Sequence, residues 1–181
     1  MKRQFHRFVR STIVCTISIP SPRYYARYGR LSTGGLLVRV VVDTNVVVAA
    51  CFAPASAAAR VLRRWRAGRF ELVTSPALLR ELAVLVDRLQ DVPAVRRAQQ
   101  CLVALHQEFR HRAHTVQPAP LDLRLRDPAD EPVLGTAVAG GAAYLVSTDA
   151  VLLGADGYRG VRVLTPSRFL ALLEHHPGEP C

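Results

Sequence analysis

The 181-residue sequence is poor in several things that define whole classes of protein. No uncharged apolar run approaches the ~18 residues that cross a bilayer, so neither a spanning segment nor a membrane partner is expected. The four cysteines, Cys15, Cys51, Cys101 and Cys181, include no C-x-x-C pair. That removes a zinc ribbon and a disulfide framework, and it suggests a reducing, cytoplasmic setting. Lysine occurs once, at Lys2, in a set of 24 Lys+Arg residues. Chemistry that leans on a lysine ammonium therefore has a single, N-terminal candidate. No internal repeat is visible, and the length suits one α/β domain of ordinary size.

What is present is half apolar and 21% charged, the balance of a globular core. The net charge is +10, yet no acid precedes Asp43, and Lys2, Arg3, Arg7, Arg10, Arg23, Arg27 and Arg30 carry seven of those ten charges. Residues 38–181 are thus only mildly basic, and charge alone is a weak sign of a nucleic-acid partner. Residues 1–37 lack a helical or strand period. Their apolar stretch Thr12–Ile19 is short and lacks the small-residue cleavage site of a secretory signal. They read as a basic extension, disordered or upstream of a misassigned start. Residues 38–172 read as the domain and 173–181 as a tail.

Val38–Val42 (VRVVV) has the continuous β-branched character of a strand buried on both faces of a parallel sheet. It runs into Asp43-Thr44-Asn45 and a small apolar stretch to Cys51. Pro54-Ala55-Ser56 opens a helix with Ala58, Val61, Leu62 and Trp65 at i, i+3, i+4 and i+7, and Gly68 ends it. Phe70–Thr74 is a second strand, after which Ser75-Pro76 caps and starts a helix. A longer helix runs from Pro93 to Arg112, with a weak strand near His114–Val116. Asp130–Ala139 is helical as far as Gly140-Gly141, Ala143–Ser147 and Arg162–Thr165 are strands, and Pro166–His175 is the last helix. Strands alternating with helices predict a three-layer α/β fold with a central parallel sheet.

In open α/β sheets, ligands sit beyond the carboxyl ends of the strands. Asp43 ends the first strand, and Asp149 stands two positions after Ala143–Ser147, so both belong to that rim. At about 100° per residue, Leu78, Leu82, Leu85 and Leu89 share a stripe with Glu81 at its edge, while Asp87 points to water. In the helix from Asp130, the stripe Leu134, Ala137, Val138 and Gly141 favours Asp130 over Glu131 as the inward acid. Capping competes for the same residue, because an acid in a first turn also answers the helix dipole. Four acids on one rim raise one another's pKa unless a cation sits among them. No lysine is near and Arg80 turns away, which leaves a divalent ion that prefers hard oxygen donors, Mg²⁺ or Mn²⁺. Such an ion suits phosphodiester cleavage.

These residues resemble the PIN-domain family of metal-dependent ribonucleases over nearly all of residues 38–170. VRVVVDTNVVVAA is similar to the family's opening strand, and ELVTSPALLRELAVLVDR to its second strand and acid-bearing helix. DPADEPVLGTAVAGGAAYLVSTDAVLL is similar to the helix–strand–Asp block of the bacterial toxins of toxin–antitoxin systems, the VapC-like subgroup. The resemblance implies a Rossmann-like sheet, cleavage of single-stranded RNA with Mg²⁺ or Mn²⁺, a homodimer, and a cognate antitoxin that blocks the acidic pocket. It assigns the catalytic, metal-holding acids to Asp43, Glu81, Asp130 and Asp149. Asn45 would orient Asp43 or a water, and Ser147 matches a small hydroxyl position, usually threonine. The sequence departs from the pattern where T-G-D is common and Ser147-Thr148-Asp149 stands, and where Val151 replaces a further acid. The crowding of Asp127, Asp130 and Glu131 keeps Glu131 as a supporting candidate.

A phosphohydrolase of the haloacid-dehalogenase type also begins with a strand ending in Asp. It needs a second acid where Asn45 stands, and a lysine near the phosphate. A silent PIN-like scaffold or RNA-binding module is the other alternative, and all four acids being present argues against it. Arg60, Arg63, Arg64, Arg66 and Arg69 form a basic ridge that either contacts RNA or an acidic partner, or is a solvated face. His106, His111 and His114 lack a completing ligand for zinc and read as surface residues.

Overall fold

A computed structural model describes residues 32–33, 36–90 and 92–175. Most of the 1–37 extension lies outside these residues. Within it, Ser32–Thr33 pairs antiparallel with Leu36–Leu37 in a two-stranded ladder.

The domain begins with β1 (Arg39–Val42), followed by α1 (Thr44–Phe52) and α2 (Ala57–Arg66). Strand β2 (Glu71–Thr74) leads into α3 (Pro76–Arg88), and α4 (Arg96–Arg112) into β3 (His114–Thr115). An irregular stretch and a 3₁₀ turn at Pro128–Asp130 precede α5 (Glu131–Ala139) and β4 (Tyr144–Val146). The short α6 (Ala150–Gly154), β5 (Arg162–Leu164) and α7 (Pro166–His175) complete the chain, with Leu173 of α7 buried. The five strands of the central sheet are parallel, in the order β3-β2-β1-β4-β5. The chain winds outward from β1 in both directions, so the topological switch point lies between β1 and β4.

Side chains alternate across the sheet, which splits the core in two. Val40 and Val42 join Leu72, Val146 and Leu164 on the face covered by α1, α2, α4 and α7. Val41 points the other way with Val73, Leu145 and Val163, beneath Val133, Leu134 and Ala137 of α5 and Leu152 of α6. Trp65 of α2 meets Phe109 of α4 edge to face at 5.1 Å, and Phe70 meets Phe169 of α7 at 5.3 Å. These aromatic pairs hold the outer helices to the first face.

Local signals explain most boundaries. Ser56 and Ser75 accept from the N–H groups of Ala59 and Leu78 and cap α2 and α3 as expected. Gly68, at φ 72, takes the left-handed conformation that turns the chain out of α2 towards β2. Two helices differ from the sequence reading. The apolar stretch to Cys51 is α1, whose Val46, Val47, Ala50 and Cys51 are buried with no clean polar face to reveal a helical period. Ala150–Gly154 is α6, one turn too short for periodicity to mark.

The cysteines require a correction. Cys51 of α1 and Cys101 of α4 form a disulfide with their Cα atoms 5.5 Å apart. They lie 50 residues apart in sequence, and only the packing of α1 on α4 brings them together. Spacing alone could not reveal the pair.

Candidate active site

The carboxyl end of the sheet gathers the acids because three of them sit where a strand or turn hands over to a helix. Asp43 occupies the N-cap position of α1, Asp130 that of α5 and Asp149 that of α6. The partial positive charge of each helix start steadies the adjacent carboxylate. Asp43 and Asp149 flank the switch point, following β1 and β4.

Ser147 binds these two positions together. It is fully buried, donates its hydroxyl to Asp43 Oδ2 at 2.6 Å, and accepts from the Asp149 N–H at 2.9 Å. The position that resemblance marked as a small hydroxyl is thus a hydrogen-bond bridge between the loops after β1 and β4. Asp149 Oδ1 accepts from the N–H groups of Val151 and Leu152, at 2.7 and 3.3 Å. Across the site, the Thr44 hydroxyl donates to Glu81 Oε2 at 3.0 Å. Thr44 was not singled out in the sequence. Its only signal is its place inside Asp43-Thr44-Asn45, where a helix start turns the residue after the acid towards α3.

Asp43 is only 4% exposed. Burial raises its pKa most and the nearby Asp149 charge adds to this, while Ser147 and the N–H groups of Asn45 and Thr44 oppose it. Those N–H groups hold charge without closing a capping bond of good geometry. The Glu81 residue is exposed overall, yet protein atoms around its carboxyl raise its pKa, and Asp43 raises it further against the Thr44 bond. Asp130 is pushed up to about 6, first by desolvation and then by Asp149, Asp127, Asp43 and Glu81. The four acids therefore share one electrostatic site.

The competition between capping and an inward role at Asp130 has a structural answer. Asp127 Oδ1 accepts from the Ala129 N–H and caps the 3₁₀ turn, whereas the Asp130 side chain makes no capping bond. Asp130 is the acid of this run whose carboxyl feels Asp149, Asp43 and Glu81. Glu131 is half-buried on the first turn of α5, and Asp87 is exposed. The side chain of Asn45 is exposed, and its backbone N–H is what faces Asp43.

The basic ridge stands apart. Arg60, Arg63, Arg64 and Arg66 lie on α2 and Arg69 follows it, and α2 is reached from the end of α1 opposite Asp43, about 13 Å along that nine-residue helix. Arg63 donates to the Pro54 carbonyl, Arg64 stands 3.8 Å from Glu174, and Arg60 is exposed. Arg66 forms a two-pronged pair with Glu108, so that part of the ridge is structural.

Among the described residues, no arginine, lysine or histidine forms an ion pair with Asp43, Glu81, Asp130 or Asp149. Oxygen donors that repel one another and lack a cationic partner are the chemistry a hard divalent ion satisfies. Among the same residues no three acids stand close enough to close around one point. The donor set fits such an ion in kind, and loading requires the side chains to draw together.

A pH effect on the metal-free protein follows. The folded pKa of Asp130, about 6, lies above its ordinary 3.8. Between these values the folded state holds the proton more tightly, so stability is greatest below 3.8 and is lost as pH rises through 6. In EDTA, Asp130→Asn is therefore expected to raise the Tm at pH 7.5 and leave it nearly unchanged at pH 4. A scan of both proteins across that range checks this, and an equal shift at both ends would contradict it.

The sequence profile of the PIN domain matches residues 39–150, which takes in β1 through the start of α6 and all four acids. No curated protein matches the chain. PIN domains are generally nucleases, hydrolases of phosphodiester bonds, and usually use divalent metal ions. With more than half of its length matched, five parallel strands between helical layers and its acids at the switch point, the chain belongs to the PIN-domain family.

Proposed function

We propose that the protein is an endoribonuclease that uses Mg²⁺ or Mn²⁺ to cleave single-stranded RNA, and that it is the toxin of a toxin–antitoxin pair. The observation that carries the nuclease reading is the placement of Asp43, Asp130 and Asp149 at three helix starts, with Ser147 bridging Asp43 and Asp149 and no cationic side chain paired to the four acids among the described residues. The toxin role, the antitoxin partner and a homodimeric state rest on the resemblance of residues 127–153 to the toxin subgroup.

Asp43, Glu81, Asp130 and Asp149 are the residues that would hold the ion. When bound, it supplies the positive charge that activates water and stabilises the departing oxygen of a phosphodiester. The chain's own part is orientation. Ser147 fixes the Asp43 carboxylate, Thr44 fixes Glu81, and the start of α6 fixes Asp149. Glu81 and Asp149 each keep a second oxygen that accepts no bond among the described residues. That oxygen is available to face the substrate site.

The test is cleavage of end-labelled single-stranded RNA, duplex RNA and single-stranded DNA by the full chain with Mg²⁺, Mn²⁺ or EDTA. Cutting of single-stranded RNA that needs a metal is the expected result. No cutting of any substrate with either metal would overturn the enzymatic reading and favour a silent PIN-like module.

A further inference from the structure

Between β3 and α5 the chain runs for a dozen residues without regular structure, yet it is tied down along its length. The Val116 N–H bonds the Thr74 carbonyl at the end of β2, and the Ala119 N–H bonds the Gly135 carbonyl on α5. Gly135 is what permits the second contact, since a Cβ there would come within 2.6 Å of the Ala119 oxygen. Leu121 and Leu125 pack against the core beneath α5. Asp122 is held by the Tyr158 hydroxyl and by Arg159 at 3.2 Å. A loop anchored this often presents its exposed side chains in fixed places.

Two of those exposed side chains are Arg124 and Arg126, on either side of the anchored Leu125. Neither has a carboxylate or carbonyl partner among the described residues. Arg39, Arg64, Arg66, Arg112, Arg159 and Arg162 are all paired with acids. Arg126 directly precedes Asp127 and lies four residues before Asp130. Its Cα is therefore at most about 14 Å from that of Asp130. An arginine side chain spans much of that gap, and successive phosphates of a nucleic-acid strand are spaced on the same scale.

The position matters because the acids repel the substrate they are read to cleave. A strand entering this rim meets Asp43, Glu81, Asp130 and Asp149, with Asp127 and Glu131 beside them. Cations beside the acids offset that repulsion by binding the neighbouring phosphates and leaving the central one free.

We propose that Arg124 and Arg126 form a phosphate-binding clamp that seats the backbone of a single-stranded RNA beside Asp130. The clamp binds phosphates next to the one cleaved, without reading bases. It deepens the nuclease reading and rests on it. The two arginines are positioning residues, and the α2 ridge is not needed for this contact.

The experiment measures binding of a fluorescent single-stranded oligoribonucleotide to the full chain in EDTA over a range of salt, and KM and kcat with Mn²⁺. It compares Arg124→Gln/Arg126→Gln, Arg124→Lys/Arg126→Lys and a control, Arg96→Gln/Arg97→Gln. Arg96 and Arg97 are exposed on the first turn of α4, about 24 Å along that helix from the end that leads into β3. The 124/126 glutamine pair is expected to weaken binding about tenfold and to flatten the log–log salt slope by about 1.4, two contacts at ~0.7 each. KM rises with kcat nearly unchanged, the lysine pair keeps the salt slope, and the control changes binding less than about twofold.

Equal losses in the 124/126 glutamine pair and the control, or no loss in the former, would overturn the clamp. A parent that binds RNA but never cuts it would overturn the nuclease reading instead, and the binding arm would still judge the clamp.

Discussion

Asp43→Asn is expected to abolish RNA cleavage, by about 10²–10³-fold or more, while leaving the protein folded and more stable. The two effects have one cause. Asp43 is the most buried of the four acids, and its raised pKa means that ionising it opposes folding. That cost is absent below the ordinary carboxylate range and grows as pH rises through the folded pKa, so it is present at neutral pH. Asparagine removes the charge and keeps an oxygen to accept from Ser147, the bond of 2.6 Å that orients this position. The Tm is therefore expected to rise by a few degrees at pH 7.5, and calorimetry beside a cleavage assay reads both effects. Exposed Asp87→Asn should change neither. Loss of activity together with a falling Tm would mean that the carboxylate holds the fold rather than serving the site.

The second large effect is on stability alone. Reducing the Cys51–Cys101 disulfide, or replacing both cysteines by alanine, frees a loop of about 50 residues in the unfolded chain. Loop-closure entropy puts the loss near 4 kcal/mol, equivalent to a Tm lower by about 10 °C for a chain of this size. Cys51 lies on α1, whose first residues are Thr44 and Asn45, so the bridge also steadies the helix that carries Asp43 at its start. Scanning calorimetry with and without a reductant measures the shift. Counting thiols in the unreduced, unfolded chain settles the covalent state. A titration of all four cysteines with no change in Tm would contradict the bridge.

The legible parts of this protein were those in which one residue's local pattern answers to one physical demand. The β-branched run at Val40–Val42 had to be a buried strand, and Leu78 and Leu82 of α3 had to face the core, which put Glu81 at the edge of that buried stripe. Capping serines marked the starts of α2 and α3 because a helix start leaves N–H groups to satisfy. Asp130 was harder, since position alone could not separate a capping acid from an inward one. In the fold the Asp130 side chain closes no capping bond at the start of α5, while Asp127 caps the preceding turn. What the sequence hid was contact across distance. Thr44 reaches Glu81 across 37 positions and Ser147 reaches Asp43 across 104. Neither spacing carries any periodic signal, nor does that of Cys51 and Cys101. Helix α1 was hidden differently, by an unbroken apolar run from Val46 to Phe52 in which no polar residue marks an outer face.

The proposed function requires Asp43, Glu81, Asp130 and Asp149 to form one divalent-cation site. Calorimetric titration of Mn²⁺ into the full chain and into Asp43→Asn, both first stripped with EDTA, tests it most directly. Saturable binding by the parent is expected, accompanied by proton release as raised-pKa acids ionise, with a loss of about tenfold or more in affinity for the variant. Equal binding by the two proteins, or none by the parent, would contradict it.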